Sequence, residues 1–407
     1  MPPSRRRPRW PGRGRKNVHK NKVLVLGAGL VVRAHVRYLL AHDFRVTVAS
    51  LLESEAVDMI GGRPNGVARR LDITTEPERL ASMVAEHDAV VSLLPWQFHP
   101  QVARVCLDAG RHMVTSSYVK DEMRALDAEA RAKGIMLFNE LGVDPGLDHM
   151  TAMKVIHRIQ AEGGTITTFQ SYCGGLPAPE ANDNPFGYKF SWSPRGVLLA
   201  GLNNARFKRR GDLVVVPEGE IFDHVKKVDV VIDGSVIEFE GYPNRDSMPY
   251  AEIYGINVRD VMFRGTLRNS GWCAVMKQIA RLGWLATDAM DGIEGKTYAD
   301  LSARLAGIDG STDLRAGLAE NLEIDPDGPV VSTLEWLGLL GPDPLPGPSA
   351  PIDILTARML EKMSYKAGER DMVVLQHTFM AEFPDRRDYI TSTMVDFGIP
   401  GGDSAMN

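Results

Sequence analysis

A glycine-containing turn near the start of the chain constrains its fold more than any other feature. The apolar run Lys22–Leu26 ends at Gly27 and Gly29, and an apolar-periodic segment follows. This order predicts a buried strand, a tight turn and a helix whose N-terminus favours a pyrophosphate. Because Val32 replaces the third glycine of the usual pattern, both nucleotide binding and a plain strand–turn–helix unit remain open at this point.

Strand-like and helix-like segments continue to alternate as far as about residue 140. Such alternation predicts an α/β fold with a doubly wound parallel sheet. After residue 145 the pattern becomes α+β, with short strands, helices between residues 297 and 340, and a long antiparallel pair near the end. The expected strands of the first part lie at residues 22–26, 45–50, 67–71, 89–94, 112–115 and 135–139, and those of the second part include 165–173, 371–383 and 388–396, with a loop over 174–188.

The charge is distributed unevenly along the 407 residues. Eight of the 47 basic residues and no acidic ones lie among the first 20, so the remainder carries 39 basic against 52 acidic residues. This balance argues against nucleic acid as a partner of the main body. The first 20 residues form a basic tail that we expect to be disordered, either dispensable or a targeting or nucleic-acid tail.

The remaining composition narrows the class of protein further. No apolar run approaches the 18 residues that a membrane span needs. The three cysteines (Cys106, Cys173 and Cys273) are odd in number and far apart. This spacing argues against a disulfide framework or a zinc site and predicts a cytoplasmic location, with no metal.

The end of the second predicted strand bears on the choice of cofactor. An acidic residue usually stands there when NAD is preferred, but this chain has Ser50 followed by Leu51. The missing acid favours NADP, although no basic partner for its 2′-phosphate is evident. Ser92 and Leu93 end the fourth strand, where a cofactor ribose passes in such folds, or they are ordinary buried residues.

Six short motifs follow one another along the chain, namely Ser116–Tyr118, Asn139–His149, Ser171–Glu180, Gly187–Ser193, Pro243–Ser247 and Arg264–Arg268. In this order and spacing they resemble the saccharopine reductase family (saccharopine dehydrogenase, NADP-dependent, L-glutamate-forming). The resemblance covers about residues 22 to 407.

The resemblance implies an enzyme that uses NADP(H) to interconvert saccharopine with L-glutamate and 2-aminoadipate 6-semialdehyde, usually as a homodimer. It implies a Rossmann domain over residues 21–145, and a substrate and dimerisation domain over 146–400 with a helical insertion at about 285–365. Residues 401–407 would begin a return to the first domain, so the sequence is either a fragment or a chain with a natural end there. The implied substrate contacts are Ser117, Tyr118, Asp144, Arg245, Thr266, Leu267 and Arg268. The implied cofactor contacts are Gly27, Ala28, Gly29, Leu30, Val31, Ser116, Ser117, Val143, Asp144 and Pro145, and the ends of the second and fourth strands add Ser50, Ser92 and Leu93.

The chemistry of such a substrate agrees with these residue types. Saccharopine has three carboxylates and two amino groups, and guanidinium groups bind carboxylates in two-point fashion. Arg245 and Arg268 suit this role; alternatively, Arg245 pairs with Asp246 and Arg268 lies on a sheet surface. Asp144 suits an ammonium or a proton leaving the amine, but Asp before Pro145 is also typical of a helix start.

Three further residues are candidates for the catalytic group. Tyr118 can hydrogen-bond a carboxylate or simply pack with an exposed hydroxyl. Cys173 either lines the pocket as a catalytic-site residue or is a small buried hydrophobe, and nothing indicates covalent catalysis. His99 is either a proton carrier or structural. Two rival functions remain: a carboxynorspermidine or carboxyspermidine dehydrogenase, and a non-catalytic NADPH-binding homologue.

Several positions depart from the family pattern. Val32 replaces a small residue, Ser50-Leu51 stands where the family tends to have Cys-Arg, and residues 95–99 vary a Pro-Tyr-x-x-His segment. The chain also stops at Asn407, where the family continues. These departures bear on the 2′-phosphate contact and on the pocket wall.

Overall fold

Two compact units make up the described part of the chain. The computed structural model describes residues 21–309, 313–347 and 349–406, so the predicted basic tail over residues 1–20 lies outside the described residues. The first unit contains the chain as far as Ala28 together with His35–Thr115 and Val119–Phe138. The second contains Gly29–Ala34, Ser116–Tyr118 and the chain from Asn139 onward.

The first unit contains a parallel sheet of six strands among its described residues. The strand order is 3-2-1-4-5-6, the order of doubly wound nucleotide-binding folds, which confirms the predicted fold class. The strands are β1 (Lys22–Leu26), β2 (Arg45–Ser50), β3 (Gly66–Arg70), β4 (Ala89–Ser92), β5 (His112–Val114) and β6 (Leu137–Phe138). The helices of this part of the chain are α1 (Arg33–Ala41), α2 (Glu53–Ile60), α3 (Pro77–Ala85), α4 (His99–Ala109), α5 (Asp121–Arg124) and α6 (Asp127–Lys133).

The central strands of this sheet are apolar on both faces. Val23–Leu26 in β1 and Val90–Val91 in β4 are buried, as expected for a parallel sheet with helices on both sides.

Several helices end at glycines in the left-handed conformation, for example α4 at Gly110. Residues 121–133 form the two short helices α5 and α6.

The second unit contains a mixed sheet of eight strands among its described residues. Six strands follow the order β10-β11-β12-β7-β13-β14, and a hairpin of β8 and β9 joins through β12. The strands are β7 (Thr165–Pro177), β8 (Ala205–Arg209), β9 (Asp212–Val216), β10 (Lys226–Ile232), β11 (Ser235–Pro243), β12 (Val261–Arg268), β13 (Asp371–Glu382) and β14 (Arg387–Phe397). The helices are α7 (Leu147–Ala161), α8 (Pro194–Leu199), α9 (Pro249–Ile253), α10 (Trp272–Arg281), α11 (Tyr298–Ala306), α12 (Leu314–Leu322), α13 (Pro329–Leu337) and α14 (Pro351–Met363).

Strand β7 is longer than the sequence pattern predicts. We expected a loop from residue 174, but the strand continues to Pro177 because Gly174–Pro177 pairs with the start of β13. Glycine is required at position 174, since a Cβ there would lie 2.7 Å from the carbonyl oxygen of Leu267. Gly174 therefore allows close packing of the sheet, where the sequence pattern alone indicated a loop.

The helices between residues 298 and 363 belong to the main apolar core of the second unit. Leu301, Leu318, Leu334 and Ile352 each contribute a buried side chain to it. No helix within the described residues combines the length and the apolar character that a membrane crossing requires.

Candidate active site

Two segments of the second unit that are far apart in the sequence, residues 116–118 and 140–144, meet in the candidate site. Glu140 N donates a hydrogen bond to Ser117 O at 3.1 Å, and a Cβ on Gly142 would lie 3.2 Å from the Cβ of Ser116. This packing brings Tyr118 to Asp144, 26 residues away. The Tyr118 hydroxyl donates to Oδ1 of Asp144 at 2.6 Å.

Asp144 does not cap a helix. Helix α7 begins at Leu147, its N-cap residue is Gly146, and Asp144 precedes Pro145 outside the helix. The helix-start interpretation of Asp144 is therefore wrong. The carboxylate near the helix end is instead Asp148, whose Oδ1 accepts from Gly146 N at 2.6 Å.

Arg264, in the middle of β12, joins the two aspartates. Its Nη2 donates to Oδ1 of Asp144 at 2.9 Å and to Oδ2 of Asp148 at 2.5 Å. The Arg264 side chain is only 7% exposed and that of Asp148 only 1%. Burial of these charges is tolerated because each carboxylate has a cationic partner and further hydrogen bonds.

Two tyrosine rings hold the Arg264 guanidinium in position. Its Cζ lies 4.1 Å from the ring centroid of Tyr250 and 5.7 Å from that of Tyr118. Burial, together with the charge of Asp144, raises the pKa of the Tyr118 hydroxyl well above its ordinary value, so this group donates at neutral pH. Burial and the charge of Asp144 also raise the pKa of Asp148.

Asp144 retains one carboxylate oxygen for a ligand. Oδ1 accepts from Tyr118 and Arg264, whereas Oδ2 has no hydrogen-bond partner among the described residues. The side chain is partly exposed, at 14%. An oriented carboxylate with one free oxygen is suited to accepting a proton or binding an ammonium group.

Arg245, just after β11, supplies a free cation beside this aspartate. Its Cζ lies 5.0 Å from the ring centroid of Tyr118, and it has no ion pair among the described residues. The alternative pairing with Asp246 is wrong, because Asp246 instead pairs with Arg206 at 3.1 Å. The exposed guanidinium of Arg245 is available to an anion.

Arg268, at the end of β12, is a buried cation without an acidic partner in the described part of the chain. The residue is 4% exposed, and its Nη1 donates to Leu267 O at 2.8 Å. Its Cζ lies 4.7 Å from the ring centroid of Tyr188, and its buried Nε has no hydrogen-bond partner. The sheet-surface alternative is therefore wrong. An uncompensated buried charge is costly unless a ligand supplies the counter-charge.

Cys173 lies on β7 opposite Thr266 of β12 and is buried. Burial, and then the charges of Asp144 and Asp148, raise the pKa of its thiol well above its ordinary value. The thiol therefore stays protonated and is no nucleophile at neutral pH. Leu267 points into the apolar core, so only its backbone remains for a ligand, and Val143 packs beside Cys173.

Four residues of this cluster escaped the sequence interpretation. The sequence pattern assigns no role to Arg264, although this residue begins the motif Arg264–Arg268. It assigns none to Asp148, Tyr250 or His149 either, and His149 Nδ1 lies 3.4 Å from Oδ2 of Asp148. One signal was present for Arg264. Side chains alternate along a strand, so Arg264 shares a strand face with the selected Arg268.

The two glycines of the predicted turn meet different requirements. Gly27 has φ +104°, and a Cβ there would lie 2.8 Å from the Leu93 carbonyl oxygen. Gly29 belongs to the second unit. A Cβ there would have no atom within 4 Å, and its φ lies outside the left-handed region. The turn therefore offers open space at its backbone, as a pyrophosphate requires.

These two glycines give a first testable prediction. Gly27→Ala is expected to lower the free energy of unfolding by about 1–3 kcal/mol, because alanine is strained at this φ. Gly29→Ala is expected to leave the urea midpoint unchanged but to weaken NADPH binding roughly 10-fold, because its methyl group fills the space over the turn. Urea unfolding and NADPH fluorescence titration of both variants measure this. Equal behaviour of the two variants would contradict it.

Ser92 and His99, two of the candidate residues in the first unit, lie together in a buried hydrogen-bonded group. Ser92 is fully buried, and its hydroxyl lies 2.9 Å from Nδ1 of His99, whose Nε2 lies 3.2 Å from Thr115 Oγ1. Burial lowers the pKa of His99 to about 4. Both ring nitrogens are thus occupied in a buried site, which supports the structural interpretation of His99 over the proton carrier. The buried Ser92 hydroxyl is therefore not available to a cofactor.

Family models match both parts of the chain. The model described as "Saccharopine dehydrogenase NADP binding domain" matches residues 23–138. The model described as "Saccharopine dehydrogenase C-terminal domain" matches residues 142–407.

Curated relatives extend this similarity over almost the whole chain. The protein named saccharopine dehydrogenase [NADP(+), L-glutamate-forming] of Schizosaccharomyces pombe is 37% identical over 94% of this chain and 87% of its own length. Alpha-aminoadipic semialdehyde synthase, mitochondrial, of Bos taurus is 38% identical over 95% of this chain, but this chain spans only 42% of the bovine protein. The solved apo saccharopine dehydrogenase (L-Glu forming) of Saccharomyces cerevisiae is 36% identical, with a TM-score of 0.81 over 95% of this chain and 87% of that one. The chain therefore belongs to the saccharopine dehydrogenase family.

Proposed function

We propose that this chain is an NADP-dependent oxidoreductase that interconverts saccharopine with L-glutamate and 2-aminoadipate 6-semialdehyde, a reaction of lysine metabolism. The observation that carries the proposal is the arrangement around Asp144. One of its oxygens is held by Tyr118 and Arg264 while the other is free. Arg245 and Arg268 add two cations without acidic partners among the described residues.

The substrate's charges match these groups. Saccharopine brings three carboxylates, and Arg245 and Arg268 bind two of them. The hydroxyls of Ser117 and Thr266 and the backbone of Leu267 complete the substrate contacts. The charge of Asp144 raises the pKa of the Cys173 thiol and that of Arg268 lowers it, so the anionic and cationic parts of the site both lie near that residue.

In the oxidative direction, Asp144 accepts the proton of the secondary amine. NADP⁺, when bound, would supply the acceptor for the hydride that leaves the carbon next to nitrogen. Water then adds to the imine carbon, and the carbon–nitrogen bond breaks to release the glutamate amine and the aldehyde. Throughout, Arg264 and Tyr118 keep Oδ1 of Asp144 fixed, so Oδ2 alone exchanges the proton.

The residues proposed as cofactor contacts are Gly27, Ala28, Gly29, Leu30, Val31, Ser50, the Leu93 backbone, Ser116, Ser117, Val143, Asp144 and Pro145.

We also propose the domain roles, assembly and location. Residues 21–145 bind the nucleotide, and residues 146–400 bind the substrate and form a homodimer. The Ser404 hydroxyl and the Ala405 amide donate to the Asp371 carboxylate, so these two residues pack within the second unit. A cytoplasmic location agrees with the three free cysteines, Cys106, Cys173 and Cys273.

An absorbance assay at the NADPH band tests the function. The purified chain would receive saccharopine with NADP⁺ or NAD⁺, and carboxynorspermidine in parallel. Saccharopine-dependent reduction of NADP⁺ is expected. Activity with carboxynorspermidine alone would favour the first rival function, and NADPH binding without turnover of either substrate would favour the non-catalytic one.

Arg268 gives a second testable prediction. Arg268→Met is expected to raise the KM for saccharopine about 10- to 100-fold, because a charged hydrogen-bond partner of a carboxylate is lost. The urea midpoint should stay the same or rise, because an unpaired buried charge is replaced by an apolar side chain of similar length. Steady-state kinetics and urea unfolding check both parts. A large loss of stability with an unchanged KM would show that Arg268 is structural.

A further inference from the structure

The carboxyl end of β2 has no basic residue for a 2′-phosphate. Ser50 is followed by Leu51 and Leu52, and then α2 begins with Glu53 and Glu55 in its first turn. The Ser50 hydroxyl donates to Oε2 of Glu55 at 3.4 Å. NADP-binding folds of this type usually place an arginine near this strand end. The cation for the phosphate must therefore come from another element.

The neighbouring strand β3 brings an arginine to this position. In the parallel register of β2 and β3, Arg70 lies directly beside Ser50, and the amide of the next residue, Leu71, donates to Ser50 O at 3.0 Å. Neighbouring strands lie about 4.8 Å apart. The register thus places the Arg70 backbone next to the residue at which a ribose 2′-position is normally recognised.

The face of the sheet on which Arg70 lies is also the appropriate one. A Cβ on Gly66, four residues earlier and on the same strand face, would lie 2.5 Å from Ile60 of α2. The Ser50 hydroxyl, through Glu55, also faces α2. Arg70 and Ser50 therefore lie on the face of the sheet that α2 covers.

The Arg70 guanidinium is free enough to bind a phosphate. Its side chain is 52% exposed, and Nη1 donates to Oε2 of Glu76 at 3.1 Å. Glu76 also accepts from Asp72 N at 2.8 Å and from Arg79 at 3.0 Å, so it keeps partners when Arg70 turns away. Neither Nε nor Nη2 of Arg70 has a partner among the described residues.

We propose that Arg70 binds the 2′-phosphate of NADP and gives this chain its preference over NAD. The proposal rests on the proposed NADP dependence but not on the identity of the amino-acid substrate. Two donors of the Arg70 guanidinium reach the phosphate, and its charge offsets the repulsion from Glu53 and Glu55.

Direct binding titrations test this without any turnover. The intrinsic fluorescence of NADPH and NADH would be followed on adding the full chain or its variants. Arg70→Ala is expected to raise the Kd for NADPH about 10- to 100-fold and to change the Kd for NADH less than about 2-fold. Displacement by 2′-AMP should weaken in the same variant, whereas displacement by 5′-AMP should not. Arg70→Lys should keep part of the preference, since it retains the charge but not the two-point geometry.

Two matched controls separate direct binding from a structural effect. Arg69→Ala removes the adjacent arginine, which lies on the other strand face and donates to the Ala68 carbonyl, and it should leave both Kd values unchanged. Glu76→Gln breaks the ion pair of Arg70 and should not weaken NADPH binding. The proposal is overturned if Arg70→Ala weakens both nucleotides equally or neither, or if Glu76→Gln reproduces its effect. Failure of the saccharopine assay with these binding results intact would reject only the substrate.

Discussion

Replacing Arg264 by methionine is expected to lower the free energy of unfolding by about 3–5 kcal/mol. The change leaves Asp144 and Asp148 facing each other without their shared cation, and Asp148 is almost fully buried. Burial and the charge of Asp144 already raise the pKa of Asp148. Without Arg264 it rises further, so the folded protein binds a proton that the unfolded chain releases. The variant should accordingly lose stability as the pH rises above the ordinary carboxyl range.

Urea unfolding at several pH values measures this effect. Four tryptophans (Trp192, Trp272, Trp284 and Trp336) belong to the second unit, so tryptophan fluorescence reports mainly on that unit. The control is Arg259→Met. This exposed arginine, just before β12, also contacts two carboxylates, those of Asp260 and Glu382, but in water. Its removal should hardly move the midpoint.

A second variant isolates the cause of the destabilisation. Adding Asp148→Asn to Arg264→Met removes one of the two facing carboxylates and should restore part of the lost stability. If Arg264→Met is as stable as the unchanged chain, or if the double variant is no better than the single one, the bridging role of Arg264 is wrong.

Replacing Asp144 by asparagine is expected to lower kcat about 100- to 10,000-fold, because the residue that accepts the proton is removed while its shape is kept. Folding should survive, since Arg264 keeps its partner Asp148. Steady-state kinetics with saccharopine measures kcat, and NADPH titration measures any loss of cofactor binding separately.

The control for this variant is Asp246→Asn, which removes a carboxylate that contacts Arg206 and the amide of Met248. It should keep its kcat. Retention of most of the kcat in Asp144→Asn would remove Asp144 from the proton transfer. A rise in KM alone would likewise contradict that role and leave only the binding of an ammonium group.

Much of the fold followed from local pattern. The apolar runs at β1, β2 and β4 and the turn at Gly27 predicted a doubly wound sheet, because period and glycine position are properties of neighbouring residues. The loop predicted from residue 174 was wrong for a local reason. Gly174 and Gly175 looked like loop residues, yet they belong to β7, because glycine there is required by the close approach of Leu267 and Met406 rather than by a turn.

The sequence alone determined the family, the fold class, and the selection of Asp144, Tyr118, Arg245 and Arg268, since short motifs and residue chemistry are visible without coordinates. Only the tertiary structure decided how these groups are arranged and which partners they contact. Arg264 meets Asp144 across 120 residues, and Arg70 lies beside Ser50 through strand register. Which side chains share a hydrogen bond depends on strand pairing and on the packing of loops far apart in the chain. No local pattern encodes that geometry, because each contact is fixed by the burial of the whole unit around it.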